Sequence, residues 1–522
     1  VLAATNQYYK HLTNKEDLAG IPEAILAQYE EEAKERNLEG YVITLQFPSL
    51  LPVLTYAENR ELRKELAIAN GKKSFDGGEF DNQNLIKELV QLRQEKAQLL
   101  GYKSFADYVL EERMAKSPQK VLEFLNELLT KAKPFAEKEV EELSVLAKAD
   151  GITEMQSYDH AYYAEKLRKQ KFDFNDEELK PYFQLDKVQE AVFGLAGKLF
   201  GLEFVETTDI QKYHADVKTY EIFERCETRD NRYEIENVES LETRNPELGT
   251  QFKALLYADY HPRKGKRAGA WMTSFKNQYI KNGENHRPHI SVVCNFTKPT
   301  SETPSLLTFN EVTTLFHEFG HALHGVLANT QYPNLSGTSV KWDFVELPSQ
   351  FLENYCYEPE FLKTFAKHYQ TGEVLPDEKI QKIEDSKNFM EGYQTLRQLS
   401  FGILDMSYHA ENVKVEDVKT FETETIKATQ VYPTLAETAV STSFSHIFQG
   451  GYSAGYYSYK WAEVLDADAF QYFKENGVFD PLISKKFKTL LESGGTKDPM
   501  ELYKNFRGSE PKVESLLKRA FG

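Results

Sequence analysis

Apolar residues recur at intervals of three and four along most of the chain, which is the spacing of one face of an α-helix. Glu, Lys, Leu and Ala dominate these stretches and favour the same structure. The charge runs between the apolar positions are typical of solvated helix faces. The pattern predicts helices over residues 22–38, 58–70, 82–100, 118–150, 158–170 and 186–201.

The pattern changes between residues 217 and 300, where β-branched and aromatic residues cluster in short runs typical of strands. A polar stretch, 226–251, predicts a long loop between the first two runs. After Thr308 the helical spacing returns and continues to Gly522. The sequence therefore predicts a mostly α-helical protein with a small β-sheet, whose strands cover 220–223, 254–257 and 289–296.

One helix in the second half carries a metal-binding pattern. Thr308 and Glu311 are spaced as a capping box that starts this helix. His317 and His321 follow, four residues apart, with Glu318 between them. Residues i and i+4 lie about 6 Å apart on one helix face, so both imidazoles can reach one cation. A chance match is expected on the order of 0.01 times in a chain of this length.

A catalytic zinc ion takes three protein ligands and keeps its fourth position for water. Glu346, twenty-five residues after His321, is the leading candidate for the third ligand. Asp343 and Glu353 remain alternatives, because spacing alone does not choose among the three. Glu353 could instead hydrogen-bond to a metal-binding histidine and orient its ring. His324 fits no ligand spacing, and we interpret it as a packed histidine.

The glutamate between the histidines has the position of a general base. Glu318 is rotated about 100° around the helix from His317, so it borders the metal without binding it. Its carboxylate can take a proton from zinc-bound water and deliver it to the leaving amine. The pattern predicts a zinc hydrolase.

Residues 446–459 form a second informative segment, in which glycines precede closely spaced tyrosines. This composition suggests a flexible loop that offers hydroxyl and backbone donors to an oxyanion. An aromatic-rich helix taken alone is more often core packing. Together with a zinc helix, the binding interpretation is the stronger one.

Composition narrows the function classes. The chain is 41% hydrophobic and 28% charged, as globular proteins are. It has no apolar run of 18 residues, and its net charge of −18 argues against nucleic acid as a partner. Cys226, Cys294 and Cys356 are too few for a disulfide framework, which suits a reducing compartment without excluding the periplasm.

These motifs together resemble the M3 family of zinc oligopeptidases, and most closely its dipeptidyl carboxypeptidase branch. The spacing to Glu346 and the Gly/Tyr segment make the resemblance specific. Weaker similarity extends back through 77–102 and beyond, so it covers nearly the whole chain. The stretches that carry it are GAWMTSF (269–275), VCNFTKP (293–299), FNEVTTLFHEFGHALHG (309–325), DFVELPSQ (343–350), TLRQLSF (395–401) and FSHIFQGGYSAGYYSYKW (444–461).

The resemblance implies one zinc ion held by His317, His321 and Glu346, with Glu318 as general base. It places Tyr459, with His446 and Tyr452, at positions that bind the substrate carbonyl and stabilise the oxyanion. Further substrate-binding candidates are Arg397, Tyr456, Gly450 and Gly451.

The resemblance also implies a two-lobed helical ellipsoid with a deep channel that admits short peptides, and residues 289–296 could pair with the substrate backbone. We expect an N-terminal helical part at 1–76 and a catalytic region with interleaved lobes at 77–522. Residues 1–6 have the pattern of a chain already inside a helix, so the numbering is expected to start after a missing N-terminal piece. A bacterial monomer in the cytoplasm or periplasm, with no membrane partner, is the corresponding expectation.

The leading functional hypothesis is release of C-terminal dipeptides from oligopeptides. Such an enzyme must hold a free carboxylate, for which Arg397 is the candidate; a buried arginine paired to an acid is the alternative interpretation. The runner-up is an endo-oligopeptidase on the same scaffold. A truncated, inactive peptide-binding protein is the hypothesis from another class.

Overall fold

The computed structural model describes residues 1–75, 77–172, 178–225, 250–263, 266, 269–299 and 303–522. These parts are predominantly helical, with a small mixed β-sheet, so the predicted fold class is confirmed. None of the described helices combines the length and apolar character needed to cross a membrane. Cys294 and Cys356 are buried, whereas Cys226 and most of the predicted loop at 226–251 lie outside the described residues.

The helices follow the sequence periodicity closely, and each of the six predicted in the first 201 residues is present within four residues of its predicted ends. The helices are α1 (Leu2–Gln7), α2 (Glu23–Glu35), α3 (Phe47–Tyr56), α4 (Arg60–Gly71), α5 (Gln83–Leu99), α6 (Phe105–Leu110), α7 (Pro118–Ala149), α8 (His160–Phe172), α9 (Leu185–Phe200), α10 (Phe309–Leu327), α11 (Leu347–Glu353), α12 (Pro359–Phe365), α13 (Asp377–Ser386), α14 (Glu391–Tyr408), α15 (Val418–Ile426), α16 (Ser445–Phe448), α17 (Ser458–Asn476), α18 (Pro481–Glu492), α19 (Pro499–Arg507) and α20 (Val513–Phe521).

The strands form one five-stranded sheet and two strand pairs. The sheet has the order β3-β4-β5-β9-β6, in which β5 and β9 are parallel and the other neighbours antiparallel. The pairs are β1 with β2 and β7 with β8. The strands are β1 (Tyr9–Leu12), β2 (Tyr41–Thr44), β3 (Leu202–Glu206), β4 (Lys218–Arg225), β5 (Thr250–Asp259), β6 (Trp271–Lys276), β7 (Tyr279–Lys281), β8 (Glu284–His286) and β9 (His289–Val293).

The sheet order corrects one expectation. β9 covers residues 289–293 of the strand predicted at 289–296, but it lies between β5 and β6 and is paired on both sides. Its backbone hydrogen bonds are already used, so pairing of 289–296 with a peptide substrate is wrong. β6 is the strand at this end of the sheet, and it packs against α10.

The chain divides into two compact units. Unit 1 comprises Val1–Phe174, Asp385–Lys460 and Ala520–Gly522, and unit 2 comprises Asn175–Glu384 and Trp461–Arg519. In unit 1, α14 packs along α7; in unit 2, α10 packs against α11 and the five-stranded sheet. The predicted boundary after residue 76 stays a prediction.

Helix α10 is the centre of unit 2. It begins with the predicted capping box, in which Thr308 accepts from the Glu311 backbone and the Glu311 side chain accepts from the Thr308 backbone. Its last carbonyls meet the buried guanidinium of Arg287, which donates to Val326 O at 2.6 Å and to Ala328 O at 2.9 Å. Helix ends need such partners, so both ends of α10 are fixed. Its apolar residues at helical spacing are all buried: Val312, Leu315, Phe316, Phe319, Ala322, Leu323, Val326 and Leu327.

Candidate active site

Two helices of unit 2 bring three candidate metal ligands together. His317 and His321 project from α10, and Glu346 is the N-cap residue of α11. The Glu346 Oε2 atom lies 3.3 Å from His317 Nε2 and 3.1 Å from His321 Nε2. A tetrahedron with metal–ligand bonds of 2.0–2.1 Å has edges of about 3.3 Å, so this donor set fits zinc. Each of the three residues has one ligand atom within 4.8 Å of a ligand atom of the other two, and they are the group of this kind within the described residues.

The two alternatives for the third ligand lie elsewhere. The Glu353 carboxylate is on the other side of the His317 ring, where its Oε1 is 2.6 Å from Nδ1. A carboxylate there fixes the ring orientation and directs Nε2 towards the metal position. Asp343 is fully buried and does not belong to the three-ligand group. Geometry thus favours Glu346 as the candidate third ligand, a choice that sequence spacing left open.

The close approach of α11 to α10 depends on Gly320, inside the H-E-x-x-H pattern. A Cβ atom on Gly320 would lie 2.4 Å from Pro348 O and 2.5 Å from Ser349 Cα. These are backbone atoms of α11, so the helices would have to separate. Ser349 also donates its hydroxyl to Glu346 Oε2 at 3.0 Å, which orients the carboxylate. Sequence reasoning missed both residues, although a glycine within a buried helix was a usable signal.

His317 and Glu346 each shift the pKa of the other. Burial lowers the pKa of His317, but hydrogen bonds and charge from Glu346 and Glu353 outweigh burial and raise that pKa to about 10. Burial raises the pKa of Glu346, yet its contacts with His317 and His321 hold it well below the usual range. Without a metal, the protonated His317 ring therefore places a positive charge beside the position that zinc would occupy.

Glu318 lies beside this set and is not part of it. Its side chain is 7% exposed, and burial raises its pKa, partly offset by His317, His321 and a hydrogen bond from the Met272 backbone on β6. A buried carboxylate with a raised pKa next to a metal position is suited to take up a proton and deliver it. His324, in contrast, is fully buried, and burial lowers its pKa to about 3. It is a neutral packed histidine.

The predicted oxyanion residues belong to unit 1, where they form an aromatic cluster. The rings of Tyr452 and Tyr459 stack with centroids 4.9 Å apart. Tyr456 lies 5.3 Å from Tyr459, and His446 lies 6.0 Å from Tyr452. Gly450 and Gly451 are exposed in the turn between α16 and α17. The sequence segment 446–459 is therefore one spatial cluster.

Arg397, the predicted carboxylate-binding residue, is exposed on α14 in unit 1. Its guanidinium lies 5.1 Å from the centre of the Phe401 ring, and no ion pair of Arg397 is present in the described part of the chain. It lines a cavity of about 390 Å³ together with Tyr393 and Lys419. The interpretation of Arg397 as a buried arginine paired to an acid is therefore wrong.

Comparison with known proteins covers nearly the whole chain. Residues 53–521 match the family model described as Peptidase family M3. The chain is 40% identical to oligopeptidase A of Escherichia coli K12, over 99% of this chain and 74% of that protein. It is 37% identical to dipeptidyl carboxypeptidase of the same organism, over 96% of this chain and 71% of that protein.

Solved structures agree at the level of fold. A structure of PZ peptidase A with an inhibitor matches 95% of this chain and 74% of its own, with a TM-score of 0.53 at 17% identity. An oligoendopeptidase F structure matches 95% of this chain and 73% of its own, with a TM-score of 0.54 at 16% identity. The family match and the sequence relatives establish that the chain belongs to Peptidase family M3 and is a metallopeptidase.

Proposed function

We propose that the protein is a zinc-dependent peptidase that hydrolyses short oligopeptides. The observation that carries this proposal is the set of His317, His321 and Glu346 with the buried carboxylate of Glu318 beside it. Three protein ligands leave one coordination position open, as catalysis requires. Zinc bound there would polarise the scissile carbonyl and lower the pKa of water.

The side chains around the three candidate ligands have different roles in the reaction. Glu318 takes a proton from the attacking water and delivers it to the amine nitrogen of the leaving peptide. Glu353 holds His317 in the orientation that presents Nε2. Tyr459, assisted by His446 and Tyr452, donates to the oxyanion that develops from the carbonyl oxygen. The resemblance supports these last three roles.

Release of C-terminal dipeptides is the finer proposal. It requires a cation that holds the terminal carboxylate, and Arg397 supports it because its guanidinium is exposed and lines a cavity beside Lys419. Cleavage of internal bonds is the second candidate. Relatives of both names, oligopeptidase A at 40% identity and dipeptidyl carboxypeptidase at 37%, are the reason for carrying both candidates.

Matched peptides with free and amidated C-termini test both proposals. The zinc-loaded chain should cleave at least the free peptides, and chelation of zinc should abolish turnover. If dipeptides are released from the C-terminus, amidation should lower kcat/KM by about 100-fold, the effect of one lost charge-assisted contact. Arg397→Gln should lower it similarly for free peptides only, whereas Arg36→Gln, at another arginine of unit 1, should change neither substrate.

Other outcomes identify the competing functions. Equal cleavage of free and amidated peptides at internal bonds, unaffected by Arg397→Gln, would establish the endo-oligopeptidase mode. Peptide binding without any zinc-dependent turnover would contradict the proposed function and support a peptide-binding protein.

A further inference from the structure

We propose that Asp405, backed by His409 and Arg93, is a positioning residue that holds the Gly/Tyr segment, residues 446–459, in its working conformation. The inference rests on the proposed function of the tyrosines in this segment. All of these residues belong to unit 1. Sequence reasoning assigned no role to Asp405, His409 or Arg93.

Asp405 is a fully buried carboxylate near the C-terminal end of α14. It accepts hydrogen bonds from three successive backbone N–H groups: Ala454 at 2.9 Å, Gly455 at 2.8 Å and Tyr456 at 2.9 Å. Successive N–H groups directed at one point form an anion-binding concavity. Ala454 has φ of +52°, a conformation that non-glycine residues avoid unless contacts impose it. The carboxylate supplies those contacts.

A second layer of hydrogen bonds supports the carboxylate. The Arg93 guanidinium on α5 donates to His409 Nε2 at 2.8 Å. Because a guanidinium has only donors, Nε2 must be the accepting nitrogen of this ring and Nδ1 carries the proton. His409 Nδ1 lies 3.0 Å from Asp405 Oδ1 and 2.8 Å from Asp405 O, so it donates to Asp405. The three side chains form one directed series of hydrogen bonds.

The same arginine also holds the beginning of the segment. Arg93 donates to Ile447 O at 2.8 Å and to Phe448 O at 3.2 Å. The series thus fixes residues 447–448 at one end and 454–456 at the other. Gln449, Gly450 and Gly451, between the two anchored stretches, are exposed.

The anchored stretch is the one that presents the tyrosines. Tyr456 follows the anchored N–H groups directly, and its hydroxyl contacts Gln398 Oε1 on α14 at 3.1 Å. Tyr459 lies only three residues further along the chain, and its ring stacks on that of Tyr452. Donors that act on a developing charge are effective when they are held in place before the reaction. The Asp405 carboxylate, which binds the segment backbone, holds the tyrosines in place in this way.

Asp405→Asn in the full zinc-loaded chain tests the inference. An asparagine amide would direct N–H groups at backbone N–H groups and cannot accept all three hydrogen bonds. We expect kcat to fall by about 100-fold, the scale of one lost oxyanion donor, with KM changed by less than about threefold. Backbone amides of 452–458 should exchange with deuterium faster, while bound zinc stays at the parent level.

Asp159→Asn is the matched control. Asp159 is also fully buried in unit 1, but it pairs with Arg60 and Arg63 and has no contact with residues 446–459 among its hydrogen bonds in the described chain. This variant should lower the melting temperature and leave kcat unchanged. Equal loss of kcat in both variants would overturn the inference, because Asp405 would then act only through general stability.

A double-mutant cycle with Tyr459→Phe identifies the route of the effect. In the parent chain this change should lower kcat by about 100-fold, but in the Asp405→Asn chain by less than about threefold, because the hydroxyl is already misplaced. Independent, multiplying losses would overturn the inference. If Tyr459→Phe is fully active, the proposed role of Tyr459 fails; an unchanged kcat in Asp405→Asn is the separate result that overturns the positioning role.

A second pair of variants keeps the test available if Asp405→Asn does not fold. Arg93→Met removes the donors to His409 and Ile447 and should lower kcat by about tenfold, with faster exchange at 447–456. Arg93→Lys retains the charge and one donor direction, and should restore part of the loss. Equal activity of Arg93→Met and the parent would overturn the role of this series.

Discussion

Replacing Gly320 with alanine should weaken the metal centre although Gly320 binds no metal. The added Cβ would lie 2.4 Å from Pro348 O, whereas ordinary contact begins at 3.4 Å. The difference, 3.4 − 2.4 = 1.0 Å, is the distance by which α11 must move from α10. Glu346 sits at the start of α11, so its carboxylate moves with that helix away from the two histidines.

The magnitude follows from the tolerance of zinc bonds. Ligand distances in zinc sites vary by about 0.2 Å, so a displacement of about 1 Å removes one good ligand geometry. Disturbing ligand orientation typically weakens metal affinity by about 10–100-fold, and we expect the upper end, about 100-fold or 2.7 kcal/mol. Overpacking of the helix contact should also lower the free energy of unfolding by about 1–3 kcal/mol.

The assay separates these two effects. Zinc affinity is measured by competition with a chromophoric chelator, and urea unfolding is measured on the metal-free chain, since bound zinc itself would add stability. Gly194→Ala is the matched control, because Gly194 is exposed on α9 in the same unit and its added Cβ would meet no atom within 4 Å. The control should gain about 0.5–1 kcal/mol from helix propensity and keep its zinc affinity.

Parent-like zinc affinity in Gly320→Ala, together with an unfolding free energy within about 0.5 kcal/mol of the parent, would refute the reasoning. It would mean that α11 can shift without moving Glu346.

Three further predictions concern the surroundings of the site. Glu353→Gln keeps an acceptor near His317 Nδ1 but removes the charge, and should weaken zinc binding by about tenfold, while Glu360→Gln, exposed on α12, should not. Zinc binding at pH 7–8 should release about one proton per site, because His317, with its pKa raised to about 10, is protonated in the metal-free chain and must lose that proton to bind metal. Calorimetry in buffers of different ionisation enthalpy measures the number of protons released. Zero release would contradict the protonated state assigned to His317. Arg287→Gln should lower the free energy of urea unfolding by about 3 kcal/mol, because the carbonyls of Val326 and Ala328 lose charged donors, and a change below about 0.5 kcal/mol would contradict this role.

Helices were predictable because their burial follows a local period. In α10 the same side chains that repeat at helical spacing are the ones buried, and the capping box marks its first turn. The histidine pair was predictable for the same reason, since a four-residue separation on a helix fixes relative position. These features need no knowledge of distant parts of the chain.

The order of strands could not be predicted locally, because it depends on contacts between distant parts of the chain. β9 and β6 both consist of β-branched, aromatic and polar residues, and nothing local shows that β9 is paired on both sides and β6 at the end of the sheet. The assignment of peptide pairing to 289–296 failed for this reason. The choice of Glu346 over Glu353 likewise depended on how α11 lies against Gly320, a contact between backbones.

Buried polar anchors were the least predictable feature. Asp405 and His409 are four residues apart at the end of an apolar helix, and this spacing was the available signal. Their function depends on Arg93, more than 300 positions away along the chain, and on a turn at 454–456. Periodicity does not report contacts at that separation.

The most direct test of the account is Glu318→Gln in the zinc-loaded chain. Glutamine has the shape of glutamate but cannot accept the proton of the attacking water. Because general-base catalysis contributes about 10²–10⁴-fold, kcat for a short peptide should fall by about that factor while zinc content and KM stay close to parent values. Unchanged turnover with zinc bound would contradict the proposed mechanism.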